Sequence, residues 1–154
     1  MAILRRASRM VRPGRLACAR WSRLTPADWW LLVAVAVAQV AAAAALRAMP
    51  LPVVRAGAGR CRRLARLLVQ GSDERVVWAI EATGKRLGRL STCLIRALVA
   101  ELVLDTNRGP LHLTIGVRRT AGRLEAHAWL ARQDRILIGA TADEYIPLVN
   151  WTRP

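Results

Sequence analysis

The chain has 154 residues, enough for one compact domain with an appendage, and is 54% hydrophobic, too apolar for a disordered protein. Its formal charge of +15 is unevenly spread: residues 1–66 hold thirteen Arg against the single acid Asp28, while residues 67–154 hold twelve basic and nine acidic residues. The basic residues are twenty-four Arg and one Lys, beside abundant Ala and no Phe, a bias of the kind a GC-rich genome produces. With no RNA- or DNA-binding motif beside it, this charge does not point to nucleic acid. An anionic membrane surface or an acidic partner fits it instead. The three cysteines, Cys18, Cys61 and Cys93, are widely spaced with no CxxC, so neither a disulfide framework nor a metal site is read, and a reducing cytoplasm is expected.

Met1 to Arg23 is an Arg-rich arm. Thr25-Pro26-Ala27-Asp28 then reads as a helix start, with a capping hydroxyl, a proline at the first helical position and an acid in the first turn. Trp29 to Leu46 runs eighteen residues without a charge, Gln39 being its one strongly polar side chain. A bilayer span needs about 20 apolar residues. An Ala-rich run is a weak anchor and a good close-packing helix. A cytoplasmic protein is therefore expected, with membrane association through residues 29–46 as the alternative. The helix should reach about Ala48, where Pro50 and Pro52 stop it.

Arg55 to Val69 reads as a second, basic helix. Ser72 caps a third, Asp73 to about Leu87, with acids early and Lys85-Arg86 late, though Gly84 weakens its last turn. A fourth helix, about Thr92 to Leu104, carries Leu94, Leu98 and Leu102 at helical spacing. The period then changes. Leu111 to Arg118, Arg123 to Ala131 and Ile136-Leu137-Ile138 read as strands, the first two joined by an Ala121-Gly122 turn. Helices followed by an antiparallel hairpin array give an α+β class.

Cys93 stands at the start of the fourth helix and His127 in the second strand, 34 residues later. A thiol at a helix start and an imidazole on a strand are the materials of a nucleophile and its base. Alternation puts Leu124, Ala126, Ala128 and Leu130 on one face, expected to be core, and Glu125, His127 and Trp129 on the other. A lone Cys on an apolar helix and a lone His on a strand are each more often structural. Composition and spacing leave both readings open. His112, Cys18 and Cys61 carry no such pattern and are read as structural.

The stretches LTPADWWLL, LRAMPLP, RVVWAIEAT, STCLIRALVAELVL, LHLTIGVRR and EAHAWLARQDRILIGA, in this order over roughly residues 21–150, resemble the lasso-peptide (microcin) processing proteins. These are transglutaminase-like cysteine peptidases. The resemblance implies a transglutaminase/papain-like core, with the Cys-bearing helix packed on an antiparallel sheet bearing the His. The expected organisation is a basic arm over residues 1–24, a helical region over 25–70 and the peptidase domain over 71–154. The implied activity is removal of the leader from a ribosomally made precursor peptide, so that a separate ATP-dependent cyclase can close the freed amine on an acidic side chain. Cys93 would be nucleophile, His127 base, and the Cys93 N–H one oxyanion donor. No cofactor is implied.

The resemblance fails at one position. The family's Asp follows the His by about twelve residues, and Gly139 stands there. If Gln133-Asp134 is the hairpin tip, His127 pairs roughly with Ala140, and Asp134 lies about 20 Å away along the strand. Asp143 is then the expected third member. The alternative is a Cys–His dyad whose ring is held by a backbone carbonyl or water. The first 66 residues do not alternate as a strand-bearing peptide-binding domain would, so a separate leader-binding protein is the expected partner, together with precursor and cyclase. Two further classes stay open: a non-catalytic scaffold that presents precursor to the cyclase, and a basic membrane-surface protein.

Overall fold

The computed structural model describes residues 24–153. The Arg-rich arm and Cys18 lie outside the described residues. The elements are α1 (Pro26–Ala48), α2 (Leu51–Leu68), α3 (Asp73–Leu87), a one-turn 3-10 helix (Gly88–Leu90), α4 (Cys93–Val103), β1 (Leu111–Thr120), β2 (Arg123–Arg132), β3 (Arg135–Ile138) and β4 (Ile146–Arg153). The strands form one antiparallel sheet in the order β3-β2-β1-β4, so the protein is α+β as expected.

The helix starts follow their capping chemistry. Thr25 and Asp28 form a reciprocal capping box at the head of α1. Asp28 is 3% exposed, and its carboxylate also meets the Arg75 guanidinium of α3. Hydrogen bonds from Thr25 first, and then Arg75, hold the Asp28 carboxyl below its ordinary 3.8. The stabilisation it provides is therefore complete above about pH 3.8 and is lost as pH falls through the lower, folded-state value. Thr25→Ala is expected to cost about 1 kcal/mol at neutral pH. It should also shrink the acid-side loss of stability, measured by urea melts between pH 2 and 7 (about the range of carboxylate titration).

α2 begins four residues earlier than its sequence suggests. α1 ends at Ala48, as the prolines led one to expect, and they then open α2 directly. Pro50 is the N-cap of α2 and Pro52 lies in its first turn, where no N–H partner is required. At the head of α3, Ser72 accepts from Arg75 N, and at the head of α4, Thr92 accepts from Ile95 N. Gly84 has a packing reason. A Cβ there would come within 2.7 Å of Arg96 Cδ and 2.9 Å of Ser91 Oγ, so glycine lets the end of α3 approach α4.

One core joins the layers. Leu31, Leu32 and Val35 of α1, Val76, Ala79 and Ile80 of α3, and Ala97 to Ala100 of α4 pack with Leu111, Leu113, Ala128, Leu130 and Ile138 of the sheet. Gln39 of α1 sits fully buried in it, donating to Thr83 Oγ1 at 2.6 Å and to Ile80 O, and accepting from Ser91 Oγ. This network fastens one face of α1 to the domain.

Strand β4 has no counterpart in the sequence reading. It pairs along β1 from Val117↔Ile146 to Leu111↔Arg153. Its Arg153 donates to Leu104 O at the end of α4, at 2.6 Å.

Candidate functional site

Cys93 is the first residue of α4 and is half-buried against the core. The Thr92 hydroxyl takes the Ile95 N–H. In an α-helix the first N–H groups have no partner within the helix. The Cys93 and Leu94 N–H groups are two of these, so the thiol stands beside a positive helix end.

His127 lies on β2 opposite Gly116. Its Nε2 is 2.8 Å from Gly139 O. A carbonyl only accepts, so Nε2 carries the hydrogen and Nδ1 is the bare, basic nitrogen. Among the described residues no hydrogen bond engages Nδ1, and none joins Cys93 to His127. The ring lies between two aromatic groups, with Trp129 stacked at 6.3 Å between centroids and Tyr145 tilted at 5.1 Å. Trp129 in turn fits over Gly116, where a Cβ would meet its ring at 2.9 Å.

Asp143 does not hold the imidazole in this structure. Its carboxylate pairs with Arg118 at 2.6 Å and accepts from Thr141 Oγ1. Arg118 also binds Glu125 at 2.7 Å and lies 5.1 Å over the Tyr145 ring. Glu125 first, and then Asp143, raise the Arg118 guanidinium above its ordinary value. Asp143 thus stands three contacts from His127, through Arg118 and Tyr145. The ring is held by the carbonyl of Gly139, the position at which the resemblance led one to expect a carboxylate. The expected hairpin tip at Gln133-Asp134 is present, but the ladder slips by one residue between Ala131↔Ile136 and Leu130↔Ile138.

The faces of β2 differ from expectation. Only its second half is core: Ala128 and Leu130 are buried, whereas Leu124 is 71% exposed and Ala126 is also exposed. The eleven-residue α4 is about 16 Å long and spans only about five strand residues. Its C-terminal end is tied to the Arg132 and Arg153 end of the sheet, where Arg132 reaches Asp105 O and Arg153 reaches Leu104 O. Cys93 opens the helix and packs against the core, on the face of Ala128. The His127 side chain leaves from the opposite face, with Trp129. At that level β2 has lost its outer strand partner, since β3 ends at Ile138. There the chain after β3 runs on against β2, with Gly139 beside Ala128 and Trp129, and Tyr145 against the ring.

Two residues at the site were not singled out from sequence. Tyr145 lies in a stretch with no periodic pattern, and Arg118 was one of many arginines. The Glu125 charge opposite Arg118 was the one signal available for the latter. His112 Nδ1 is 3.1 Å from Thr152 Oγ1, a cross-strand contact in keeping with a structural role. Cys61 is exposed on α2. Among the described residues no group of three or more His, Cys, Asp or Glu is placed to hold a metal ion.

Helices packed on one four-stranded antiparallel sheet, with a cysteine opening α4 and a histidine on β2, are consistent with a transglutaminase-like core. The chain belongs to the transglutaminase-like superfamily, whose family model matches residues 29–150. No curated protein and no solved structure matches it.

Proposed function

We propose that the protein is a transglutaminase-like cysteine peptidase that removes the leader from a ribosomally made precursor peptide before macrocyclisation. The observation that carries the reading is the Nε2–H···O bond from His127 to Gly139, which leaves Nδ1 as the free base. Cys93 at the head of α4 supplies the nucleophile. The resemblance to lasso-peptide processing proteins supplies the substrate class.

In the reaction, His127 Nδ1 takes the Cys93 proton and Sγ attacks the carbonyl carbon of the last leader residue. The oxyanion that forms is stabilised by the Cys93 N–H, with the neighbouring Leu94 N–H as second donor. The C–N bond breaks as the imidazolium gives its proton to the departing amine, and the leader remains as a thioester. Water, deprotonated by Nδ1, then releases the leader carboxylate and restores the thiol. The step requires Sγ and Nδ1, which lie on opposite sides of β2 in the free protein, to close to hydrogen-bonding range. Such contacts are often long in a free enzyme and tighten with substrate. The Gly139 carbonyl replaces an orienting carboxylate. It fixes the tautomer without neutralising the imidazolium, so a slower enzyme than a full triad is expected.

A non-catalytic scaffold is the second reading. It is favoured by His127 leaving the sheet on the face opposite α4 and by the missing acid at position 139. Incubation of precursor with this chain and its leader-binding partner, read by mass spectrometry, separates the two. The peptidase yields free leader and core peptide, and His127→Ala lowers the rate about 10²- to 10⁴-fold. Intact precursor after long incubation with wild type, together with its capture alongside the cyclase, would establish the scaffold.

A further inference from the structure

Helix α1 has two apolar faces. Leu31, Leu32, Val35 and Ala43 are buried in the domain. Trp30, Val33, Val37 and Val40, spaced three and four residues apart along the other side, are 44–63% exposed. Ala36, Ala41 and Ala44 continue this side as a shallow apolar groove with Val37 and Val40. By length and composition the helix passes for a bilayer span, its most apolar 18 residues having a mean hydropathy of 2.1.

Helix α2 also exposes apolar and basic side chains. Val53, Leu64, Leu67 and Leu68 are exposed, as are Arg60 and Arg63 among them. The Trp30 indole N–H donates to Leu68 O at 2.9 Å, which joins the start of α1 to the end of α2. α2 contains no acid, and the one acid of α1, Asp28, is buried with Thr25 and Arg75. The outer faces of the two helices therefore combine large apolar side chains with arginines and carry no acid of their own, and Asp105, which meets α2 from the end of α4, is paired with Arg66.

We propose that the outer faces of α1 and α2 dock the protein on a bilayer surface rich in anionic headgroups, with α1 lying in the interface plane. The pairing of an apolar stripe with arginines suits acyl chains beneath phosphate groups. Crossing the bilayer would pull Leu31, Leu32 and Val35 out of the core and carry Gln39 into hydrocarbon without Thr83 and Ser91. A two-fold contact with a second copy would bring Arg60 and Arg63 against their own kind with no acid to answer them. An acidic protein would match the charge but not a stripe running the length of a 23-residue helix.

The test is sedimentation of the full chain with phosphatidylcholine vesicles, with and without phosphatidylglycerol. Wild type is expected to pellet with the anionic vesicles only, less so as salt rises. Val33→Asp with Val37→Asp should weaken partitioning at least about tenfold at an unchanged melting temperature, since both side chains are exposed. Arg60→Gln and Arg63→Gln should each weaken it about fivefold. Wild type remaining in the supernatant, or a Val33→Asp/Val37→Asp protein that pellets like wild type, would overturn the proposal. So would a concentration-dependent dimer that these same substitutions dissolve.

Discussion

Replacing Cys93 by alanine is expected to lower the rate of leader release by about 10⁴-fold or more, because a covalent route loses its nucleophile entirely. The fold should survive. Cys93 is a half-buried small side chain at a helix head, not one of the fully buried core residues, and the Thr92 cap remains. Circular dichroism and a thermal melt of the variant supply that control. Cysteine and histidine act as one unit on this mechanism. Adding His127→Ala to Cys93→Ala should therefore cost almost nothing further, whereas independent roles would multiply. Retention of a tenth or more of wild-type activity in Cys93→Ala would remove this residue from the chemistry.

The second large effect concerns Gly139, where the resemblance implied an acid. Gly139→Asp supplies that acid, yet it is expected to damage the protein. Gly139 has φ +81°, a conformation side chains rarely adopt, and a Cβ there would lie 2.6 Å from Ala128 O and 3.0 Å from Trp129 Cα. The backbone strain alone costs about 1–3 kcal/mol. At this chain length that is a fall in melting temperature of about 3–10 °C. Relief of the clash with the β2 backbone would move Gly139 O away from His127 Nε2 and release the ring. Leader release by Gly139→Asp should thus fall rather than rise. A variant as stable as wild type and faster would show that the site keeps room for a carboxylate and that the carbonyl is only a poor substitute for it.

The helices were legible because their ends carry strong local chemistry: Thr25 with Asp28, Ser72, and Thr92 each cap where the sequence places a start. The hairpin of β1 and β2 was legible from β-branched runs around Ala121-Gly122. β4 escaped because five consecutive residues, Ile146 to Asn150, are exposed on an edge strand, so no alternation marks it, and Pro147 reads against a strand. The core half of β2 was overdrawn at Leu124 and Ala126. Alternation assigns a face to every residue, but burial also needs a helix long enough to cover it, and α4 is not. The one-residue slip at Ala131 comes from a bulge that sequence spacing does not announce.

At the site, Cys93 at a helix head and His127 on a strand were readable from residue type and order. The partner of His127 was not, because it is a main-chain carbonyl, a group every residue carries. Gly139 marked the place only by lacking the acid that the resemblance implied. Asp143 was the reasonable choice by chain distance, and the Arg118 charge claimed it. Tyr145, which closes one side of the ring, belongs to the loop before β4 and was lost with that strand.

The central claim is that Cys93 and His127 meet. A crystal structure with a leader-derived peptide aldehyde bound at the thiol measures this most directly. The peptidase reading predicts a hemithioacetal on Cys93, with Sγ about 3–4 Å from His127 Nδ1 and the ring still bound through Nε2 to Gly139 O. A separation above about 8 Å, with the ring remaining on the far face of β2, would contradict it.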